Sequence, residues 1–259
     1  MSVLASIIEG VLEEQSRRQL SNSQLDERIA EIGIVRDPLI SLKKNSFSVI
    51  AEVKRSSPSK GALADIQDPA TLALKYQKGG ASVVSVLTEA RRFGGSLEDF
   101  ISVRNEISLP MLRKDFIVNE YLVRESRAFG ADLMLLIVAA LDGNALKDLH
   151  DLGTELGMQV LVEVHELSEL ERALEINPAI IGVNARNLKT LEIDMGNFSA
   201  LLPKIPNHIY RIAESGISSM DDVKLARNAG ADAILVGETL VKSGDPERTI
   251  EEFLTVANR

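Results

Sequence analysis

Glu52 and Lys54 flank Val53 within the run IAEVKRSSPSKG at residues 50–61. On an extended strand, residues two apart share a face. If Val53 faces a helix layer, both charges therefore point the other way, into an interior. An inward acid beside an inward base is costly unless each is paired or used. The plainer reading is a structural ion pair; the sharper one is a catalytic pair. Ser56–Gly61 then supplies hydroxyls, a turn and Lys60, either as a solvated loop or as part of a ligand site. Lys114 closes the apolar start of PMLRKDF. A lysine there can act as a general acid, a Schiff-base nucleophile or an anion clamp. Glu163 ends the run LVEVHE. A partly desolvated carboxylate near lysines is a general-base candidate. His165 reads as a loop or helix-start histidine. His150, His165 and His208 have no H-x-x-x-H spacing, so no metal site is expected. Asn184 and Arg186 in IGVNARNL again share a face by spacing, with a polar turn as the plainer reading. Glu214, Ser215 and Gly216 follow in AESGIS, and Gly237 and Glu238 in LVGETL. Small residues let backbone N–H groups approach an anion, and a helix start adds favourable partial charge. The Glu238 side chain is expected to point away from such an anion.

These residues follow short apolar runs that alternate with longer amphipathic ones. The expected strands are Phe47–Val53, Val83–Leu87, Pro110–Arg113, Leu133–Ile137, Gln159–Glu163, Ile180–Val183, Tyr210–Ala213 and Ala233–Val236. Their spacing suits βα units rather than hairpins. Helical periodicity appears at Tyr121–Phe129 after Asn119, at Ala145–Leu156 after Asp142, and at Asp221–Ala229 after Ser218 and Ser219. Helices end repeatedly at glycine before the next strand, at Gly80, Gly130, Gly157 and Gly230. Gly-Ala-Asp precedes two of the strands, a hint of an internal repeat. Strand and helix in alternation imply a parallel sheet, and eight units favour closure. No G-x-G-x-x-G follows the first strand, against an open dinucleotide-binding fold. We therefore expect an α/β protein, a (β/α)8 TIM barrel over residues 47–259. Residues 1–46, with helices at Ser2–Arg18 and Leu25–Ile32, form an N-terminal helical extension within one domain. It caps the barrel bottom or folds over its mouth. In such barrels the site lies at the C-terminal strand ends, with phosphate held by the loops after strands seven and eight.

The 259 residues are 45% apolar and 26% charged, a globular balance that argues against disorder. The net charge of −9 and the absence of Trp are a poor match to nucleic-acid binding. No apolar run is long enough to span a membrane. With no Cys, disulfides, Cys-ligated zinc and thiol nucleophiles are excluded. With no export signal at the start, a cytoplasmic location is expected.

The segments IAEVKRSSPSKG, LRKDFIV, LVEVH, IGVNARNL, AESGI and LVGETL, in this order, resemble the indole-3-glycerol-phosphate synthase family over nearly the whole chain. The resemblance implies closure of an indole ring in tryptophan biosynthesis. A carboxyphenylamino-deoxyribulose 5-phosphate becomes indole-3-glycerol phosphate, carbon dioxide and water, with no cofactor and no metal. By resemblance, Lys114 is the general acid of ring closure and Glu163 the base or acid of dehydration. Lys54 holds the anthranilate carboxylate and shares in proton transfer, and Glu52 positions the lysines. Asn184 and Arg186 orient hydroxyls and the catalytic carboxylate. Glu214 and Ser215 are further polar wall residues. The phosphate meets Ser57, Gly216, Gly237 and the N–H of Glu238, while Phe93, Phe116 and Leu135 wall the aromatic ring. Two departures from the family pattern stand out. After strand two, where members often read F-F-x-G-S, the chain reads Arg91-Arg92-Phe93-Gly94-Gly95-Ser96, an Arg replacing one aromatic, and at strand eight Gly237-Glu238-Thr239 stands where many members have Gly-Glu-Ser or Gly-Ser-Ser. The only partner expected is the phosphorylated small molecule, bound by a monomer. From residues without the resemblance, the reading stops at a phosphate-handling barrel enzyme using Lys and Glu. A Schiff-base aldolase or a sugar-phosphate isomerase remain the alternatives.

Overall fold

A computed structural model describes residues 2–257. Eight parallel strands close into a barrel in chain order. They are β1 (Ser48–Val53), β2 (Val83–Leu87), β3 (Met111–Lys114), β4 (Leu133–Ile137), β5 (Gln159–Val164), β6 (Ile180–Asn184), β7 (Tyr210–Glu214) and β8 (Ala233–Val236). The pairing of β8 with β1 closes the ring. Three strands match their expected bounds; β3, β5, β6 and β7 each run one residue further than expected. Their last residues stay in the ladder, as Leu87 with Lys114 and Asn184 with Glu214. Backbone pairing takes no account of side-chain polarity, so polar residues sit inside the strands rather than after them.

The register fixes what faces inward. Glu52 pairs with Ser85, and Ser85 with Leu112. Lys114 lies two residues beyond Leu112. Continuing the ladder sets Leu135 beside Lys114; Leu135 pairs with Leu161, and Glu163 lies two beyond. Glu163 pairs with Gly182, Gly182 with Ile212, and Glu214 lies two beyond. Glu214 pairs with Leu235, Leu235 with Ile50, and Glu52 lies two beyond. Advancing two residues per pair of strands is the stagger of a barrel of shear eight, in which alternate strands build one layer. The uppermost odd-strand layer is thus Glu52, Lys114, Glu163 and Glu214. The layer beneath it is Ile50, Leu112, Leu161 and Ile212, all fully buried.

The helices that cover the strands show the expected capping. Asn119, Asp142 and Ser219 each accept a hydrogen bond from the first turn of α6 (Glu120–Ala128), α7 (Gly143–Glu155) and α10 (Met220–Asn228) respectively. The remaining helices after β1 are α4 (Pro69–Lys78), α5 (Leu97–Glu106), α8 (Leu167–Glu175), α9 (Gly196–Leu201), α11 (Glu238–Lys242) and α12 (Pro246–Ala257). The Gly-Ala-Asp repeat marks one structural unit used twice. Asp132 accepts from the Met111 N–H and Asp232 from the Arg211 N–H, so each carboxylate ties the start of its strand to that of its neighbour.

Ahead of β1 stand α1 (Val3–Arg18), α2 (Asn22–Glu31) and a short α3 (Pro38–Leu42). The last was not expected: Asp37 caps five residues started by Pro38, too few for a periodic signal. The two expected placements of this segment both occur. Val3, Leu4 and Ile7 of α1 line the cavity at the barrel mouth. Below, Arg36 donates to the carbonyls of Ile107 and Leu109 and, through its N–H, to Asp132.

Candidate active site

A cavity of about 610 Å³ opens over the charged layer, a size suited to a small organic ligand. Its walls include every residue singled out above for catalysis or binding. Lys114 Nζ lies 2.9 Å from Glu163 Oε2 and 3.4 Å from Glu214 Oε2. Lys54 Nζ lies 2.7 Å from Glu52 Oε1. Glu52, Lys114, Glu163 and Glu214 come from β1, β3, β5 and β7, far apart in sequence, and meet because odd strands share a layer, with Lys54 just past the end of β1.

Two glycines make the layer fit. A Cβ at Gly182 would stand 2.0 Å from Glu214 Oε1, and one at Gly237 would stand 2.6 Å from Glu52 Oε1. β6 and the turn after β8 therefore carry no side chain where the carboxylates lie.

Burial and mutual charge set the protonation states. Burial alone would depress the Lys114 ammonium, but Glu163, Glu214 and Glu52 outweigh it and hold the pKa above the ordinary lysine value. Burial opposes ionisation of Glu163, yet Lys114 and His165 hold its carboxyl well below the usual range. Glu214 is pushed up to about 8 by burial, with Glu163 and Glu52 adding repulsion that Lys114 only partly offsets. A neutral Glu214 thus stands beside an ionised Glu163.

One end of the cavity is apolar. Phe93 and Phe116 face each other with ring centroids 6.2 Å apart, beside Leu135, Ile137 and the α1 residues. The loop that carries Phe93 is folded around Glu89, whose buried carboxylate accepts the N–H groups of Arg91, Arg92 and Phe93. Arg92, where the family pattern has an aromatic, reaches Ser6 of α1, and Arg91 pairs with Glu13. The arginines thus hold α1 against the loop.

The other end is built from small residues. Ser57 Oγ is buried and has no partner among the described residues. Ser215 and Gly216 both take positive φ, 66° and 80°, turning the chain sharply after β7. Strain such as that at Ser215 gathers at binding sites. Gly237 leads into α11. Glu238 Oε1 accepts from Lys60 at 2.7 Å and Lys242 at 2.8 Å, so its carboxylate is drawn to these two lysines. Arg186 donates to Ser59 and to the Leu191 carbonyl, and its own N–H to the Asn184 side chain, tying the β6 loop to the β1 loop.

Sequence reasoning missed several wall residues. Lys242 lies on a short helix without pattern, and Val3, Leu4 and Ile7 stand in a helical pattern among residues with no chemistry of their own. His165 lies in the turn between β5 and the start of α8, as expected, but its ring is buried against Glu163 and Glu169. Its place two residues after Glu163 was the available signal. Among the described residues, no group of three or more His, Asp and Glu side chains is arranged to hold a metal ion.

Comparison with solved structures bears on the fold. A thiamine phosphate pyrophosphorylase from Pyrococcus furiosus aligns with TM-score 0.62 at 15% identity, over 85% of this chain and 98% of that one. A 3-hexulose-6-phosphate synthase from Salmonella typhimurium aligns with TM-score 0.66 at 14% identity, over 82% and 98%. Sequence comparison reaches further. Indole-3-glycerol phosphate synthase 1 of Streptomyces coelicolor is 52% identical over 256 residues, which cover 98% of this chain and 95% of the relative. The indole-3-glycerol phosphate synthase of a Nocardioides species is 52% identical over 258 residues, 99% of each. The family model for indole-3-glycerol phosphate synthase matches residues 3–253, and with a site of this geometry the chain belongs to that family.

Proposed function

We propose that this site performs the indole-3-glycerol phosphate synthase reaction with the following division of labour. The substrate, 1-(2-carboxyphenylamino)-1-deoxyribulose 5-phosphate, lies with its ring between Phe93, Phe116 and Leu135 and its phosphate at Ser57, Gly216, Gly237 and the Glu238 N–H. Lys54, paired with Glu52, holds the ring carboxylate. The ring carbon bearing that carboxylate attacks the ribulose carbonyl, and Lys114 gives its proton to the oxygen as alkoxide character develops. The carboxylate then leaves as carbon dioxide, its electron pair restoring the ring. Finally the new hydroxyl departs as water, with Glu163 moving the proton and Glu214, Asn184, Arg186 and Ser215 holding the polar wall.

The observation that carries this reading is the contact of Lys114 with Glu163 at 2.9 Å and Glu214 at 3.4 Å under an apolar pocket. It also separates the reading from a Schiff-base aldolase. A Schiff-base lysine must lose its proton easily, which desolvation or a neighbouring cation promotes. Here carboxylates hold Lys114 as an ammonium, the state an acid needs and an imine-forming amine does not.

Among the described residues, no helix is long and apolar enough to cross a membrane. The reading includes a monomer in the cytoplasm, with residues 1–46 as a helical extension of a single barrel domain. The test is incubation with the carboxyphenylamino substrate while indole fluorescence is followed. Fluorescence should rise with release of carbon dioxide. Substrate left intact, or a borohydride-trapped lysine adduct, overturns the reading.

A further inference from the structure

His165 sits just beyond β5, two residues after Glu163 and on the same side of the chain. Its ring is wedged between two acids: Nε2 is 3.2 Å from Glu163 Oε1, and Nδ1 is 3.1 Å from Glu169 Oε2. Its side chain is only 9% exposed. The backbone fixes it as well: the His165 N–H donates to Glu169 Oε2 at 2.7 Å, and Asn197 Nδ2 donates to the His165 carbonyl at 2.9 Å.

A neutral imidazole carries a lone pair on one nitrogen. With a carboxylate against each nitrogen, one contact would then be repulsive. Only the imidazolium satisfies both. The Nε2 contact is close but not aligned as a hydrogen bond, so charge rather than direction carries it.

Glu163 therefore has a separate cation on each oxygen, Lys114 on Oε2 and His165 on Oε1. The difference matters at one moment. When Lys114 gives up its proton, it ceases to be a cation, and Glu163 loses that partner just before its own step. We propose that His165, held charged by Glu169, is a positioning residue that keeps Glu163 ionised and in place while Lys114 is discharged. The inference rests on the roles proposed for Lys114 and Glu163. The groups that face this unit are Glu163 from β5, Glu169 from α8, and Lys114 and Glu214 across Glu163 from β3 and β7. The His165 pKa is raised to about 9, burial being outweighed by the two carboxylates.

The first test needs no variant. In the intact protein, ring-nitrogen NMR should find one of the three histidines still doubly protonated at pH 8, with its signal absent in His165→Gln. Three histidines all titrating near the ordinary value would overturn the proposal. The second test is kinetic. His165→Gln keeps a neutral donor near the Nε2 position. Its kcat should fall about tenfold with KM within about twofold, and the acid limb of its kcat–pH profile should move up by about one unit, the size of effect a neighbouring charge gives. The direction follows because removing the cation makes Glu163 easier to protonate. Glu169→Gln should leave the acid limb in place, where an imidazole is protonated with or without Glu169, and lower kcat only above about pH 7, where His165 then loses its charge. In His165→Gln, a fall in kcat with an unmoved limb would mean a packing role only and would sink the idea. Glu163→Gln separates the two levels: normal turnover there defeats the catalytic reading itself, whereas an inactive Glu163→Gln beside an unchanged His165→Gln defeats only this inference.

Discussion

Three buried carboxylates, Glu52, Glu163 and Glu214, surround Lys114, and one neighbouring lysine already belongs to Glu52. Three negative charges against so few positive ones are unfavourable in a dry site, so one acid keeps its proton. That acid is Glu214. Replacing Lys114 by Ala should lower kcat by about 10²–10⁴-fold, the range for a lost general acid, with KM changed little. Steady-state kinetics decide it, and near-normal turnover would remove Lys114 as the acid. Glu214 makes a stability prediction with a definite sign. Its folded pKa, about 8, lies above the ordinary carboxyl value of 4.5. Its favourable contribution is therefore present below the ordinary value and lost as pH rises through about 8. Glu214→Gln, which cannot ionise, should match the parent in Tm at pH 4 and exceed it at pH 9 by about 2–4 °C, the scale of 1 kcal/mol for a chain of this size. Calorimetry showing an equal difference at both values would rule the assignment out.

At the scale of elements, every strand was legible from its apolar run, and so were the caps at Asn119 and Asp142. What the runs concealed were the strand ends. Lys114, Asn184 and Glu214 read as the first residues of loops because they are polar, yet each is the last rung of a ladder and is aimed by it. Partners across strands were illegible for a different reason. Gly182 reads as one small residue in an apolar run, and only the β6–β7 register shows that it houses a carboxylate. Gly182→Ala should cost about 1–3 kcal/mol, as overpacking does, and should lower kcat by displacing Glu214. Denaturant unfolding together with kinetics measures both. The helix α1 also makes a prediction. Arg18 near its end makes two hydrogen bonds of 2.9 Å with buried Glu125, which also holds the fully buried Arg113 behind β3. Arg18→Ala should loosen α1 from the apolar wall and raise KM more than it lowers kcat.

Across the whole molecule, the N-terminal segment spans the barrel from mouth to base. Asp132 is the anchor at the base. It accepts from the N–H groups of Arg36 and Met111 and pairs with Arg104. Asp132→Ala strands the buried Arg104 guanidinium, a loss of about 3–5 kcal/mol. A fall in Tm of about 10 °C is expected; a change of only a degree or two would show that the base is held elsewhere. The sequence announced the closed eight-unit barrel through its alternating pattern. It could not announce which end the first helices serve, because an amphipathic stripe says that a face is covered and not by what.

Because the four ionisable groups proposed for acid–base work come from every second strand, any cut through the middle divides them evenly. A break between β4 and β5 leaves Glu52 and Lys114 on one fragment, Glu163 and Glu214 on the other. Neither fragment holds a complete set of proton donors and acceptors, so turnover regained on mixing the two pieces would register reassembly of the closed ring itself.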